Sequence, residues 1–200
     1  MGKDTEASVF IIESLTFDDE KDGQFEGRVL RDILAFSNTP SEYFYIRTRS
    51  ELSAVLERFE DSKHRYLHIS CHGNAREIGL TLDSLTYEEF GIEIDGLLDG
   101  KRLFFSACQV VNRDLAKAIL PESNCFSLIG PSKSINFDDA VLMWASFYHL
   151  MFRDIEEEGM KGEKIRWALR RLQKAFDRKF SYYKPESSPE GFVEVNISKK

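Results

Sequence analysis

The sequence predicts an α/β protein, a three-layer α/β/α sandwich in which helices cover both faces of a mostly parallel central sheet. Three observations support this prediction. Short apolar runs of strand length alternate with stretches of helical periodicity. Such alternation is typical of parallel strands joined by crossover helices. The chain also has 200 residues and 42% hydrophobic content, which is enough for one domain with a sizeable core.

The first half of the chain gives the clearest alternation. Apolar runs predict strands at residues 8–12, 43–46 and 66–71, and helical spacing of apolar residues predicts helices at 29–36 and 52–59. Thr86 with Glu89 forms a capping-box pattern, which predicts a helix through Phe90. These elements make up a βαβαβ unit followed by a short helix.

The second half continues the pattern. Apolar runs predict strands at residues 103–107 and 125–129, with a helix at 115–120 between them. Two amphipathic helices are expected at about 139–153 and 163–180. A stretch with Pro and Ser then leads to a possible last strand at 192–195.

Composition excludes several classes of protein. The net charge of −7 argues against broad affinity for nucleic acid, which needs clustered Lys and Arg. No apolar run is long enough to span a membrane, and charged residues near the N-terminus do not fit a signal peptide, so a cytoplasmic location is expected. Three cysteines, an odd number, favour free thiols.

Candidate catalytic residues follow two of the predicted strands. His72 and Gly73 come at the end of the third strand, and Cys108 comes at the end of the fourth. Ligand sites in parallel sheets lie outside the carboxyl ends of the strands, and neighbouring strands are about 4.8 Å apart. We therefore expect the His72 imidazole and the Cys108 thiol to lie close together.

An imidazole beside a thiol makes a nucleophile. A free thiol has a pKa of about 8.5, and an adjacent imidazole lowers that value and can later protonate a leaving amine. Gly73 has no side chain, so its backbone N–H can join that of Cys108 in an oxyanion hole. By contrast, His68, Cys71 and Cys125 are interpreted as core residues.

The residues around the two strand ends resemble those of caspase-like cysteine peptidases, and above all those of CHAT-type domains. The segments YLHISCHGN and LFFSACQ resemble the strands that carry the CHAT histidine and cysteine, and FSLIGPSKSINFDDAVLMWASFYHLMF and IRWALRRLQKAF resemble later parts of that domain. The likeness covers about residues 8–180. We therefore predict a single domain over residues 1–200, with a core at about 8–180 and a C-terminal extension at about 181–200.

The resemblance implies a caspase-hemoglobinase fold and hydrolysis of peptide bonds, with His72 as the base and Cys108 as the nucleophile. It further implies a particular protein substrate in a regulated prokaryotic defence or programmed-death pathway, and a separate sensor or regulatory protein. Neither a cofactor, a metal nor a membrane is expected. Ser106 and Val110 replace two members of the caspase signature Gln-Ala-Cys-X-Gly, so aspartate specificity is not implied.

The sequence was also compared with the patterns of a phosphatase, a zinc site and a non-enzymatic binding module. A phosphatase loop needs Arg six positions after its Cys, but Arg113 follows Cys108 by five, and no closely spaced Cys and His pairs indicate zinc. The stronger alternative is a non-enzymatic CHAT-like interaction module. It would dock a protein partner, with nucleic acid less expected, through the basic residues of the helix at 163–180.

Acidic loops at the carboxyl edge of the sheet suggest substrate specificity. Asp18, Asp19 and Glu20 follow the first strand, and Asp138 and Asp139 follow the fifth. A carboxylate near the scissile bond selects Arg or Lys by a charge-assisted pair and repels Asp and Glu. We therefore predict a basic residue immediately before the cleaved bond.

Overall fold

The computed structural model describes residues 4–121, 123–153 and 159–198. Its strands in chain order are β1 (Glu6–Glu13), β2 (Ser41–Tyr45), β3 (His64–Ser70), β4 (His72–Gly73), β5 (Glu77–Gly79), β6 (Ser84–Thr86), β7 (Arg102–Ser106), β8 (Ser127–Pro131), β9 (Phe180–Pro185) and β10 (Phe192–Glu194). Its helices are α1 (Phe17–Lys21), α2 (Glu26–Phe36), α3 (Arg49–Asp61), α4 (Tyr87–Glu93), α5 (Arg113–Ile119), α6 (Phe137–Phe152) and α7 (Gly162–Phe176).

Seven strands form the central sheet in the order β10-β9-β8-β7-β3-β1-β2. The five strands from β8 to β2 in that order run parallel, and β9 and β10 add an antiparallel edge. The central strands are almost continuously buried, as expected where both faces of a parallel sheet are covered. The predicted sheet is confirmed.

Two hydrophobic clusters lie on opposite faces of the sheet. One contains apolar residues of α3, α4 and α5, including Phe59, Phe90 and Leu115. The other contains residues of α2, α6 and α7, including Trp144 and Leu169. Side chains from alternating positions of the strands enter the two clusters, so the molecule has the predicted three-layer architecture.

Local signals placed several elements correctly. The capping box at the start of α4 is present: the Thr86 hydroxyl accepts from the Glu89 N–H, and the Glu89 carboxylate accepts from the Thr86 N–H. The predicted last strand is present as β10. The same kind of capping box, from Thr48 and Glu51, starts α3.

Two expectations about secondary structure were wrong. The helix predicted at 163–180 ends at Phe176, because Asp177 adopts a left-handed backbone with φ of 51° and stops it. The chain then enters β9, which pairs with β8 on one side and β10 on the other. The third strand also ends earlier than predicted, at Ser70, and His72 and Gly73 belong instead to β4 of a small antiparallel sheet, β4-β5-β6.

No helix in the described ranges is both long enough and apolar enough to cross a membrane.

Candidate active site

The pairing of β3 with β7 sets the position of the two candidate catalytic residues. Ser70 lies opposite Ser106 at the carboxyl ends of these parallel strands. The Cys71 N–H continues the ladder by donating to the Ser106 carbonyl at 3.1 Å. His72 and Cys108 each follow two residues after the paired serines. Both therefore leave the sheet at the same edge, from neighbouring strands.

Both side chains also contact one segment, the connection from β8 into α6. The His72 ring packs edge-on against Phe137, with ring centroids 5.8 Å apart. The Cys108 Sγ lies 3.4 Å from the Ile135 N–H, which donates to it, and 3.6 Å from the Ile135 carbonyl. The thiol is half-buried and the imidazole is 43% exposed, so both remain accessible from solvent.

A carboxylate orients the imidazole. The Nε2 of His72 lies 2.7 Å from an Asp19 carboxylate oxygen. Because a carboxylate only accepts hydrogen bonds, Nε2 carries the proton in this contact, and Nδ1 of the neutral ring keeps its lone pair. Asp19 was predicted to bind substrate, and the structure places it against the candidate base instead of in an open loop.

Helix α1 holds Asp19 in place. Thr16 caps this short helix by accepting from the Asp19 N–H, and its hydroxyl donates to the Asp19 carboxylate. Partial burial acts to raise the pKa of Asp19, but the hydrogen bonds from Thr16 and His72 outweigh it, so the pKa lies below its usual value. The charged form of Asp19 is thus favoured beside the imidazole.

The neighbouring Glu20 anchors α1 to the rest of the sheet edge. Its carboxylate accepts from the Arg47 guanidinium at 2.6 and 2.9 Å and from the Tyr45 hydroxyl at 2.5 Å. These contacts with Arg47 and Tyr45 lower the pKa of Glu20 to about 2. Glu20, also predicted to bind substrate, is therefore engaged in positioning the helix that carries Asp19.

The other predicted substrate-binding carboxylates lie in two places. Asp18 is exposed on α1, and Asp138 is exposed at the start of α6, where it accepts from the Asp139 N–H. Asp139 accepts two hydrogen bonds from the Arg178 guanidinium, at 2.7 and 2.9 Å. The charge of Asp139 is therefore largely matched, whereas Asp18 and Asp138 face solvent.

Gly73 has a packing role that the sequence did not reveal. A Cβ built on it would lie 2.3 Å from Val110 Cγ2 and 3.0 Å from the Glu77 carbonyl oxygen. Val110 is fully buried, so a side chain at position 73 has no room. The close approach of β4 to the turn after Cys108 depends on this glycine.

The turn after Cys108 has an uncommon backbone conformation. Gln109 has φ of 60°, which costs a residue with a Cβ about 1 kcal/mol. Its carbonyl accepts from the Asn112 side chain, which also caps α5 through the Asp114 and Leu115 N–H groups. The turn that presents the thiol is thereby fixed to the following helix.

A layer of buried acids lies behind the site. Glu13 is fully buried and accepts from the Gly27 and Arg28 N–H groups at the start of α2 and from the Tyr43 hydroxyl. Glu26 is also buried, and one of its oxygens accepts from the Ser70 hydroxyl at 3.1 Å. Burial raises the pKa of Glu26 to about 8, with the negative charge of Glu13 acting in the same direction.

The three residues interpreted as core residues are buried. The Nδ1 of His68 lies 3.0 Å from the Tyr148 hydroxyl, and burial lowers the pKa of His68 to about 3, which keeps the ring neutral. Cys71 and Cys125 are buried free thiols whose pKa values burial raises, to about 11 for Cys125. These interpretations are confirmed.

Comparison with solved structures identifies the fold. A crystal structure of caspase-1 from Spodoptera frugiperda matches with a TM-score of 0.53 at 12% identity, over 98% of this chain and 86% of that one. The chain has a caspase-like fold. No protein-family model matches the sequence, and the search of curated proteins found no match. At this level of identity the likeness concerns the fold, which is compatible with a cysteine peptidase.

Sequence reasoning missed several residues of the site. Ile135, in the connection before α6, contacts Cys108, and Phe137, the first residue of α6, contacts His72, while Glu26 lies behind them. The orienting position of Asp19 was missed as well, although Thr16 three residues before it is a recognisable helix cap that predicts a fixed turn there. The contact itself joins residues 53 positions apart, which local patterns do not reveal.

Proposed function

We propose that the protein is a caspase-like cysteine endopeptidase of the CHAT type, with His72 as general base and Cys108 as nucleophile. One observation carries the proposal. The two side chains leave the same edge of the sheet from adjacent parallel strands and pack against the same short segment, at Ile135 and Phe137. The caspase-like fold and the His-Gly and Ser-Ala-Cys motifs support the same chemistry.

The geometry suggests how the reaction proceeds. Nδ1 of His72 takes the proton from the Cys108 thiol, and the thiolate attacks the carbonyl carbon of the scissile bond. We assign the oxyanion role to the N–H groups of Gly73 and Cys108. His72 then returns the proton to the leaving amine, and the C–N bond breaks to leave a thioester, which water hydrolyses with His72 again as base.

Asp19 is a positioning residue in this scheme. Its bond to Nε2 fixes the ring orientation and the tautomer, and it stabilises the imidazolium that forms when the thiol ionises. Because Thr16 and the Glu20–Arg47 pair hold α1, the carboxylate is held in place before any substrate binds.

The biological setting follows from the CHAT resemblance alone. We propose a specific protein substrate, a separate sensor or regulatory protein, and a cytoplasmic defence or programmed-death pathway. The competing function is a non-enzymatic module that docks a protein partner through α7. Two basic residues of that helix, Arg170 and Lys174, line a groove and so support this alternative.

Alkylation of Cys108 by iodoacetamide tests the catalytic pair without a known substrate. At neutral pH the wild type should label rapidly at Cys108, and His72→Ala should label about tenfold more slowly because the thiolate loses its partner. Asp19→Asn should lie between them, since an amide cannot stabilise the imidazolium. Mass spectrometry of the labelled peptide identifies the cysteine.

The matched control is His149→Ala, which removes an exposed histidine from α6. Its labelling rate should equal that of the wild type. Equal labelling of Cys108 in the wild type and in a folded His72→Ala variant would show that no functional pair exists, and the peptidase proposal would be wrong.

A further inference from the structure

A groove of about 930 Å³ begins beside the candidate nucleophile. Two of its lining residues are neighbours in sequence of residues at the candidate site: Gln109 follows Cys108, and Ser134 precedes the Cys108 contact Ile135. The Gln109 side-chain amide donates to the Ser134 hydroxyl at 3.5 Å. The groove therefore lies next to the segment that presents the candidate nucleophile.

The groove is strongly basic in a protein that is acidic overall. Among the described residues that line it, one, Asp177, carries a carboxylate and five are cationic: Lys133, Arg170, Lys174, Arg178 and Lys179. The chain as a whole has 34 acidic and 27 basic residues. The groove is therefore locally basic, in contrast to the acidic average of the whole chain.

Part of this charge is matched within the chain and part is not. Arg178 is paired with Asp139, and the Arg170 guanidinium donates to the Ile197 carbonyl. Within the part of the chain that the structure describes, no carboxylate lies within ion-pair distance of Lys133, Lys174 or Lys179. Three ammonium groups that line the groove are thus available to a ligand.

The groove is a fixed part of the fold. The Ser132 N–H and hydroxyl both bond to the Lys179 carbonyl, at 2.9 and 3.2 Å, and so tie the connection before α6 to the one before β9. The backbone of the two loops that carry Lys133 and Lys179 is therefore set before a ligand binds, which lowers the entropic cost of binding.

We propose that this groove binds an acidic segment of the polypeptide substrate, on one side of the scissile bond and separate from the residue immediately before it. The inference rests on the proposed peptidase function, because the groove is lined by Gln109, the residue next to Cys108. Polypeptide carboxylates complement the three available lysines. Binding there would hold the substrate across the thiol and restrict cleavage to proteins that carry such a segment.

Nucleic acid is the less suitable polyanion. Proteins that bind single strands combine cations with aromatic side chains on which bases stack. None of the described residues that line the groove is aromatic. The acidic remainder of the surface would also repel a long polyanion that extends beyond the groove.

A proximity-labelling experiment tests the inference with the full chain. Two peptides carry the same chloroacetyl group behind the same flexible spacer of glycine and serine; one ends in four glutamates and the other in four glutamines. Docking of the glutamates raises the effective concentration of the electrophile at Cys108. We expect the glutamate peptide to alkylate Cys108 about tenfold faster at low salt, because each lysine–carboxylate pair contributes up to about fivefold.

Charge reversal locates the effect. Lys133→Glu and Lys174→Glu should each bring the rate ratio of the two peptides close to one, because each replaces an attraction by a repulsion. Lys117→Glu is the matched control: Lys117 and Lys174 are both exposed lysines in the last turn of a helix, and Lys117 lies outside the groove. It should keep the wild-type ratio.

The readouts separate this inference from the peptidase proposal. The iodoacetamide rate reports the reactivity of Cys108 itself, whereas the ratio of the two peptide rates reports the groove. A ratio near one in the wild type, or an equal fall in Lys117→Glu, would overturn the inference. A third result would also overturn it: a thymidine oligonucleotide binds in a way that depends on Lys174, and the glutamate peptide shows no preference. That result would assign the groove to nucleic acid.

Discussion

Replacement of the buried Glu26 by glutamine should make the protein less sensitive to rising pH. Glu26 is 4% exposed, and burial, with the nearby charge of Glu13, raises its pKa from 4.5 to about 8. The Ser70 hydroxyl, which donates to the Glu26 carboxylate, lowers the pKa but does not outweigh burial. The folded protein therefore keeps Glu26 protonated at neutral pH, whereas the unfolded chain ionises it.

The sign and size follow from proton linkage. Between the unfolded pKa of 4.5 and the folded value of about 8, the folded state binds one more proton at this site than the unfolded state. The free energy of unfolding therefore falls as pH rises, by up to about 1.4 kcal/mol per pH unit from this group. From pH 5.5 to pH 7.5 the loss is about 3 kcal/mol, and glutamine removes it.

Urea unfolding at a series of pH values measures the effect. The wild type should lose stability over this range faster than Glu26→Gln, by up to about 1.4 kcal/mol per pH unit. The control Glu57→Gln, at an exposed position of α3, should follow the wild type. Parallel pH profiles for the wild type and Glu26→Gln would refute the assignment of a protonated acid behind the site.

Two further predictions concern the site itself. Gly73→Ala should lower the free energy of unfolding by about 1–3 kcal/mol, because the added Cβ collides with Val110. In a double-mutant cycle, Val110→Ala should recover part of that loss. Strictly additive effects of the two substitutions would contradict the packing role of Gly73. A positional-scanning peptide library should show a basic residue immediately before the cleaved bond, with the preference reduced by neutralising the exposed Asp18 or Asp138. Selection of aspartate at that position would contradict the electrostatic basis.

The sequence was most informative where burial sets the pattern. Strands β1 and β7 contain short buried runs of Val, Ile, Leu and Phe, and β3 buries Tyr66, Leu67 and Ile69, so their apolar residues predicted a parallel sheet and its carboxyl edge. The predicted end of helix α7 lay too far along the chain. The left-handed Asp177 ends the helix, but the aromatic residues of β9 follow it closely and prolong the apolar pattern in the sequence. Strands β4, β5 and β6 have only two or three residues each and carry no periodic signal.

Polar contacts between distant segments were beyond local patterns. The acidic stretch after β1 has the composition of a solvated loop. In the structure, however, Asp19 contacts His72 and Glu20 forms an ion pair with Arg47, both across the edge of the sheet. Glu13 and Glu26 looked like ordinary charged residues, and their burial follows from the packing of α2 against β1. Such contacts arise only once the strands are assembled.

Cleavage that depends on Cys108 is the most direct test of the central claim. The protein is incubated with candidate partner proteins encoded beside it, and products are identified by gel and mass spectrometry. Wild type and Cys125→Ala, which removes a buried thiol remote from the proposed chemistry, should cut the same partner at the same bond. A folded Cys108→Ala variant should leave that partner intact. Cleavage by Cys108→Ala at the wild-type rate would contradict the proposed function.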